Sequence, residues 1–336
     1  MKYKRLVQDK LKEIGFNHAE IINSHIHLPE LNPEMVTRAR ESASHSMIPK
    51  DIAFKTIELL DPASFHRRNS RFTGGAILLP IESHNIHGRA SSIYCSNDRV
   101  LRLAKQYPDF FIPFASIDMI SNDAPTQIHE LHKRGIFGVK YHALEGYSLL
   151  DERCIPALTT LERVGLPLTI HLGDTPFEGV NLTYADPILL ITLAERHPKL
   201  RIMATHFATP LHFKLFWIAS RYENIYLDIA EFPIYWRSYE ENPYGGLLNP
   251  LNTHRIGLHR FVYGTDFPMP TLHRIKSGHI EVGLHDTAEY LYEFLSLPDT
   301  YLSKEEKQQI LCENVWQFLG TTKANVRTHN KTGLKI

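Results

Sequence analysis

Potential metal ligands end five short apolar stretches of this sequence. The stretches are NSHIHL at 23–28, GVKYHA at 138–143, LPLTIHLGD at 166–174, RIMATHFA at 201–208 and FVYGTDFP at 261–268. They place six reactive side chains at predicted strand ends: His25, His27, Lys140, His171, His206 and Asp266. Imidazole and carboxylate groups are ordinary ligands of zinc. Because strand ends converge on one mouth of a parallel barrel, the pattern predicts a metal-centred active site that uses a metal-activated water.

The spacing within each stretch indicates which side chains share a face. Residues two apart in an extended strand point the same way, so His25 and His27 should project together, with Asn23 on the same side. The same argument places Asp266 with Gly264, whose lack of a side chain leaves room at the mouth. A lone His-x-His pair is a weak signal in a chain with 20 histidines. Its position at a strand end makes it more specific.

Strands and helices alternate along the chain and must position these residues. The predicted strands are 19–27, 74–81, 110–118, 136–143, 166–172, 200–207, 224–230 and 260–267. Most are continuous apolar runs, as expected when helices cover both faces of a parallel sheet. The alternative is a doubly wound open sheet, but no glycine-rich phosphate loop follows the first strand. The sequence therefore favours an α/β fold of the (β/α)8 barrel type, with long loops after strands 1 and 7.

Composition limits the class of protein. The 336 residues contain 37 Lys+Arg and 37 Asp+Glu, so no net charge favours nucleic acid or a membrane surface as a partner. No apolar run has membrane-spanning length, and the three cysteines do not form a disulfide pattern, which predicts a cytoplasmic protein. We expect one domain over 1–320, with an N-terminal helix at 1–17 and a C-terminal helix at 304–320. Residues 321–336 are expected to be a flexible tail.

Several motifs together resemble a known family. NSHIHL, LPLTIHLGD, LRIMATHFA, NIYLDIA and RFVYGTDFP look like successive motifs of the amidohydrolase superfamily. The similar branch is the amidohydrolase-related group, which includes aminocarboxymuconate-semialdehyde decarboxylase and several lactone and amide hydrolases. ILCENVWQFLG at 310–320 resembles the C-terminal helix of that group. The resemblance therefore covers about residue 20 to residue 320.

This resemblance implies a distorted barrel with one divalent metal, usually zinc, and often a homodimer. By motif, the ligands would be His25, His27, His171 and Asp266. His206 would stand beside the metal-bound water as an acid or base. One residue departs from the family pattern, since the first motif usually begins with Asp and this chain has Asn23.

Lys140 has three interpretations. In members of the superfamily with two metals, a lysine at the end of the fourth strand is carboxylated and bridges the ions. In other members a lysine or arginine there contacts the substrate. A plain structural role is the third interpretation, and the sequence leaves all three open.

Three functions are compatible with these residues. The first is hydrolysis of a small amide, lactone or ester, in which Asp266 and His206 would take the proton from the water and return it to the leaving group. The second is non-oxidative decarboxylation of a conjugated acid, for which the candidate wall residues are Arg71, Arg89, Arg237, Phe232, Tyr235 and Trp236. The third is an inactive barrel that binds a metabolite, which only Asn23 favours. In each case the expected partner is a small molecule.

Overall fold

Eight parallel strands form the centre of the molecule. The computed structural model describes residues 2–30, 59–81, 95–175, 180–230, 254–268, 273–276, 279–282 and 287–332. Within them the strands are β1 Ile22–Ile26, β2 Gly75–Leu78, β3 Phe111–Pro113, β4 Val139–Tyr141, β5 Leu168–Ile170, β6 Ile202–Ala204, β7 Ile225–Asp228 and β8 Phe261–Val262. Each lies inside a stretch that the sequence predicts to be a strand. An antiparallel hairpin, β9 His273–Lys276 and β10 His279–Val282, was not predicted.

Two seams close these strands into a barrel. Strands β1–β3 form one sheet and β4–β8 another. At the first seam Ala115 N donates to Gly138 O at 2.9 Å, which joins the segment after β3 to β4. At the second, Ser24 N donates to Tyr263 O at 2.8 Å, which joins β1 to the end of β8. The predicted (β/α)8 barrel is confirmed, and the last strand is the neighbour of the first.

Helices connect the strands and pack against them. They are α1 Lys2–Ile14, α2 Pro62–Asn69, α3 Asn97–Gln106, α4 Ala124–Lys133, α5 Ile155–Val164, α6 Leu189–Arg196, α7 His212–Ala219, α8 Thr287–Leu295, α9 Lys304–Gln308, α10 Asn314–Leu319 and α11 Lys323–Thr332, with a π-helical turn Gln309–Glu313 between α9 and α10. Among the described residues, no helix combines the length and hydropathy needed to cross a membrane. Most of both predicted long loops, after β1 and β7, lies outside the described residues.

Alternation along the strands separates the inside of the barrel from the outside. In β2, Leu78 packs outward with Phe65 of α2. Its neighbour Ile77 packs inward with Ile112 and Val262 from other strands. The same rule places Lys140 and His171 inside, since the residues flanking them in β4 and β5 pack outward: Val139, Tyr141, Ile170 and Leu172.

Strand β1 breaks this alternation. Its pairing with β2 shifts register between Asn23 and Ile26. Ile22 packs in the interior cluster and Ile26 in an outer one, although they are an even number of residues apart. Such a bulge turns side chains in a new direction. The expectation that Asn23 shares a side with both imidazoles therefore does not hold, and its amide instead contacts Thr265.

The expected flexible tail at 321–336 is a helix over most of its length, which corrects that interpretation. Helix α11 buries Val326 and His329. Asn330 Nδ2 donates to Phe111 O at 2.9 Å, and the ammonium of Lys323 donates to Ala19 O. Polar contacts with the barrel therefore hold much of this helix, and a search for apolar periodicity does not detect them.

Candidate metal centre

Three predicted ligands converge at the carboxyl end of the barrel. His25 Nε2 lies 3.1 Å from His27 Nε2 and 3.0 Å from Asp266 Oδ1. His27 Nε2 lies 3.2 Å from the same carboxylate oxygen. All three side chains are buried. Two imidazole nitrogens and a carboxylate oxygen at this spacing match the donor set that a divalent ion of the zinc class takes, so these residues fit a metal.

Hydrogen bonds on the far side of each ring orient the two histidines. His27 Nδ1 lies 3.0 Å from Leu79 O, a pure acceptor, so Nδ1 carries the proton and Nε2 keeps its lone pair. His25 Nδ1 lies 2.6 Å from Asp228 Oδ2, which selects the same tautomer. Metal-binding histidines characteristically have such partners. Both rings therefore present Nε2 to the same point.

Asp228 is a candidate site residue that the sequence did not predict. It ends β7 inside the barrel, is 1% exposed, and also accepts the Ala230 N–H at 2.7 Å through Oδ1. Gly264 makes its position possible, because a Cβ there would lie 2.4 Å from Asp228 Oδ1 and 3.0 Å from His25 Cβ. The available signal was the aspartate at a strand end in NIYLDIA, next in space to the strand that carries GTD.

The Asn23 amide holds the backbone beside Asp266. Asn23 Oδ1 accepts from Thr265 N at 3.1 Å and from His25 N at 3.2 Å. Asn23 Nδ2 donates to Thr265 Oγ1 at 2.9 Å. Asp266 itself has φ 54°, a left-handed conformation that costs a non-glycine residue free energy. The contacts of Asn23 therefore support a strained ligand residue.

His171 and His206 form a second pair at the mouth. His171 Nε2 lies 2.9 Å from Asp174 O, so this nitrogen is the donor and Nδ1 holds the lone pair. His206 Nε2 lies 3.1 Å from His171 Nδ1 and 3.0 Å from Thr205 Oγ1, and it is the donor to both, because Thr205 Oγ1 donates to a carbonyl. The structure thus brings His171 to the mouth but pairs it with His206. Its role as a fourth ligand stays a prediction.

A third imidazole, not singled out as a site residue, packs on this pair. The His142 ring lies 4.0 Å from that of His171 with an interplanar angle of 26°. His142 Nδ1 accepts from Leu144 N at 3.1 Å. His206 has φ 37° and is followed by two more residues with positive φ, so the backbone leaves its strand path where this ring enters the mouth. Stacking and backbone conformation fix these rings, and neither was visible in the sequence.

The two groups belong to one site. The rings of His25 and His206 are 6.1 Å apart and nearly parallel, at 27°. Lys140 lies inside the barrel between β3 and β5 and interacts electrostatically with Asp266, Asp228 and His171. All six residues predicted from the strand ends are therefore collected at one mouth.

Burial sets the protonation states. Desolvation lowers the pKa of His171 to about 3 and that of His206 well below its ordinary value, so both imidazoles are neutral at pH 7. Burial alone would also lower the pKa of His25, but Asp266 and Asp228 raise it overall. Burial would raise the pKa of Asp266, yet the charges and hydrogen bonds of His25 and His27 together outweigh it and keep that pKa well below its usual range. The metal-free site thus combines an ionised carboxylate at Asp266, neutral imidazoles at His171 and His206, and a more basic imidazole at His25.

Of the residues proposed to form the wall of a decarboxylase pocket, the structure describes only Arg71. Arg71 is exposed and precedes β2, at the end of the barrel opposite the mouth, so its proposed role as a substrate cation is wrong. The remaining wall candidates lie outside the described residues: Arg89, Arg237, Phe232, Tyr235 and Trp236.

A closed (β/α)8 barrel with His-x-His on its first strand and an aspartate after its last strand defines a class of metal-dependent enzymes. The amidohydrolase family profile matches residues 23–320, and the chain belongs to that family. The resemblance seen in the motifs is confirmed over nearly the same range. A search of curated proteins finds no match.

Solved structures with the same fold have low sequence identity. The 5-carboxyvanillate decarboxylase of Novosphingobium aromaticivorans, complexed with manganese, is 15% identical with a TM-score of 0.61, over 90% of this chain and 97% of that one. A 2,6-dihydroxybenzoate decarboxylase from Rhizobium is 14% identical with a TM-score of 0.58, over 89% and 98%. A probable 2-pyrone-4,6-dicarboxylic acid hydrolase from Acinetobacter baumannii is 15% identical with a TM-score of 0.55, over 90% and 99%. At such identity the likeness shows the fold alone.

Proposed function

We propose that the chain is a metal-dependent decarboxylase that releases carbon dioxide, without oxidation, from a small conjugated carboxylic acid. The sequence had placed hydrolysis first and decarboxylation second. The observation that favours decarboxylation over hydrolysis is the burial of the polar and charged groups at the mouth, where Lys140 is 3% exposed, His206 4% and Asp266 8%. Two decarboxylases among the proteins of similar fold support the same order.

Burial favours decarboxylation for a physical reason. A carboxylate brought into this site loses most of its hydration, which destabilises the localised charge. When the C–C bond breaks, carbon dioxide leaves as a neutral molecule and the electron pair spreads into the conjugated system. The dry surroundings therefore favour the transition state over the bound acid. Hydrolysis would instead require that a water molecule be admitted and positioned.

The residues divide into two roles. His25, His27 and Asp266 would hold one divalent ion, zinc or manganese, with His171 as the predicted fourth ligand. When bound, the ion would supply Lewis-acid charge that orients the oxygens of the substrate. His206 and Asp266 are placed to take a proton from solvent and deliver it to the carbon that loses the carboxyl group. One proton is consumed and one C–C bond is broken in each turnover.

Hydrolysis of a lactone is the second candidate. The fold of the probable 2-pyrone-4,6-dicarboxylic acid hydrolase supports it, and Asp266 could equally remove a proton from an attacking water. The two reactions give different products. We would assay carbon dioxide release from 2,6-dihydroxybenzoate and 5-carboxyvanillate, and acid production from 2-pyrone-4,6-dicarboxylate. Acid production without carbon dioxide release would overturn the decarboxylase proposal in favour of hydrolysis.

Metal analysis tests both enzymatic proposals together. The purified protein should contain about one zinc or manganese ion per chain, and a chelator should abolish activity that either ion restores. A metal content near zero that does not rise on reconstitution would leave an inactive, metabolite-binding barrel as the remaining function.

A further inference from the structure

The segment after β6 carries His206 on an unusual backbone turn. His206, Phe207 and Ala208 are three consecutive non-glycine residues in the left-handed region, with φ values of 37°, 51° and 51°. Each such residue costs free energy, because its Cβ then crowds the following carbonyl oxygen. Surrounding contacts must therefore hold this turn, and with it the direction in which the His206 ring enters the mouth.

Packing holds the two residues that follow His206. Phe207 is fully buried, and its ring makes edge contacts with Phe216 of α7 and Phe261 of β8, at 5.1 Å and 6.0 Å between ring centroids. Ala208 is fully buried as well. These contacts anchor the second half of the turn against the outer layer of the barrel.

A closed circuit of hydrogen bonds joins the turn to the loop after β5. The His206 ring donates to the His171 ring, and His171 Nε2 donates to Asp174 O. Asp174 N donates in turn to Thr209 O at 2.8 Å. Thr209 completes the circuit, since its N–H and its Oγ1 both donate to His206 O, at 3.2 Å and 3.0 Å. The backbone and the ring of His206 are therefore both tied to the same neighbouring loop.

Gly173 allows the two loops to approach this closely. A Cβ at this position would lie 2.2 Å from Thr209 O and 2.5 Å from the carbonyl carbon of Ala208, far inside van der Waals contact. The φ of Gly173 is also left-handed, at 88°. Glycine is the residue that combines such a φ with close approach of another backbone. A side chain here would push the loop after β6 away from Asp174.

We propose that Gly173 is a positioning residue for His206. Because it places no Cβ between the two loops, it keeps the turn at 206–208 in place and the His206 ring directed into the mouth. The inference rests on the proposed function, in which His206 delivers a proton to the substrate carbon. Proton transfer needs the donor within hydrogen-bond reach, so a displacement of about 1 Å slows it strongly.

The test is Gly173→Ala in the metal-loaded enzyme. Its kcat should fall by about 10- to 100-fold, whereas KM and metal content should stay close to the wild-type values. The matched control is Gly165→Ala, at the end of α5. Gly165 has a similar φ of 75°, but no atom lies within 4 Å of an added Cβ. The control therefore introduces the backbone strain without the collision and should keep the kcat of the wild type.

A double-mutant cycle separates positioning of His206 from a general loss of structure. In the His206→Ala background, Gly173→Ala should lower kcat no further, because the group that it positions is absent. Equal reductions in the two backgrounds would overturn the inference. Loss of metal from Gly173→Ala, or an equal fall of kcat in Gly165→Ala, would overturn it as well.

A second variant serves if Gly173→Ala does not fold. Thr209→Val removes only the hydroxyl that donates to His206 O and should lower kcat by about 2- to 10-fold, as expected for one hydrogen bond. Thr209→Ser keeps the hydroxyl and should match the wild type. Equal kcat in the valine and serine variants would then overturn the inference.

A spectroscopic measurement keeps the inference separate from the proposed function. If the wild type turns over none of the acids tested, the proposed function fails, and the imidazole NMR signals of His206 decide the inference alone. They are assigned by their absence from His206→Ala. These signals should move in Gly173→Ala and stay in place in Gly165→Ala, and unchanged signals in Gly173→Ala would overturn the inference.

Discussion

Asn23 and Thr265, 242 positions apart in sequence, exchange two hydrogen bonds across the seam of the barrel. Asn23 Nδ2 donates to Thr265 Oγ1 at 2.9 Å, and Thr265 N donates to Asn23 Oδ1 at 3.1 Å. Thr265 directly precedes Asp266, whose left-handed backbone needs support. An aspartate at position 23, the residue usual in the family, could accept these protons but not donate one. Asn23 therefore has a structural function at the seam of the barrel.

Removing the hydroxyl of Thr265 should weaken both the fold and the site. In Thr265→Val the Asn23 amide loses its acceptor in a buried position, which should lower the free energy of unfolding of the metal-free protein by about 1–3 kcal/mol. Since Asp266 is then less well held, metal affinity should fall as well. Urea denaturation and competition with a chelator measure the two effects.

Thr265→Ser is the control for this prediction. It keeps the hydroxyl and should therefore retain metal affinity close to that of the wild type. Equal metal affinity in the valine and serine variants would show that the hydrogen bond does not position Asp266.

Much of the barrel and of its mouth was predictable from strand ends. His25, His27 and Asp266 could be located because each lies at the end of a short predicted strand, and closure of a barrel makes the first and last strands neighbours. Lys140 and His171 followed from alternation, since the strands that carry them are regular over the relevant residues.

What the sequence did not show depends on tertiary contacts. The bulge in β1 redirects Asn23, and no local pattern in NSHIH signals a shift in pairing with β2. The role of Asp228 exists only because β7 brings it next to His25. Helix α7, HFKLFWIA, is apolar on nearly all sides and has no stripe to detect, so its helical period was invisible.

Replacing the carboxylate of Asp228 should weaken metal binding without unfolding the protein. In Asp228→Asn the amide can keep the bond to Ala230 N but no longer presents a charge to His25 Nδ1. Losing such a partner typically costs 10- to 100-fold in metal affinity. Competition with a chelator would measure the loss, with circular dichroism as a check on folding. A dissociation constant equal to that of the wild type would remove Asp228 from the site.

His206 should be needed for turnover and not for metal binding. Its Nε2 donates to His171, and its ring stacks near His25 without joining the three-ligand group. His206→Ala should retain metal and lose about 10²- to 10⁴-fold in kcat, the contribution expected of a proton-transfer group. His25→Ala is the contrasting variant, in which metal and activity should disappear together. Turnover near the wild-type level in His206→Ala would exclude His206 from the proton transfer.

The charge of Lys140, which has no hydrogen-bond acceptor among the residues that the structure describes, predicts how the stability of the metal-free protein depends on pH. Burial lowers the pKa of Lys140 to about 8, below the value of 10.5 for the unfolded chain. Between these values the unfolded chain binds more protons than the folded one, so the contribution of Lys140 to the free energy of unfolding rises with pH. Below pH 8 Lys140 is charged in both the folded and the unfolded protein, so the folded state bears the full cost of burying the ammonium. Lys140→Met should then be more stable than the wild type. Urea denaturation of both proteins at neutral pH and near pH 10 tests this, because the advantage of the variant should shrink at the higher pH. A difference that stays constant with pH would mean that the ammonium already has a partner in the folded protein.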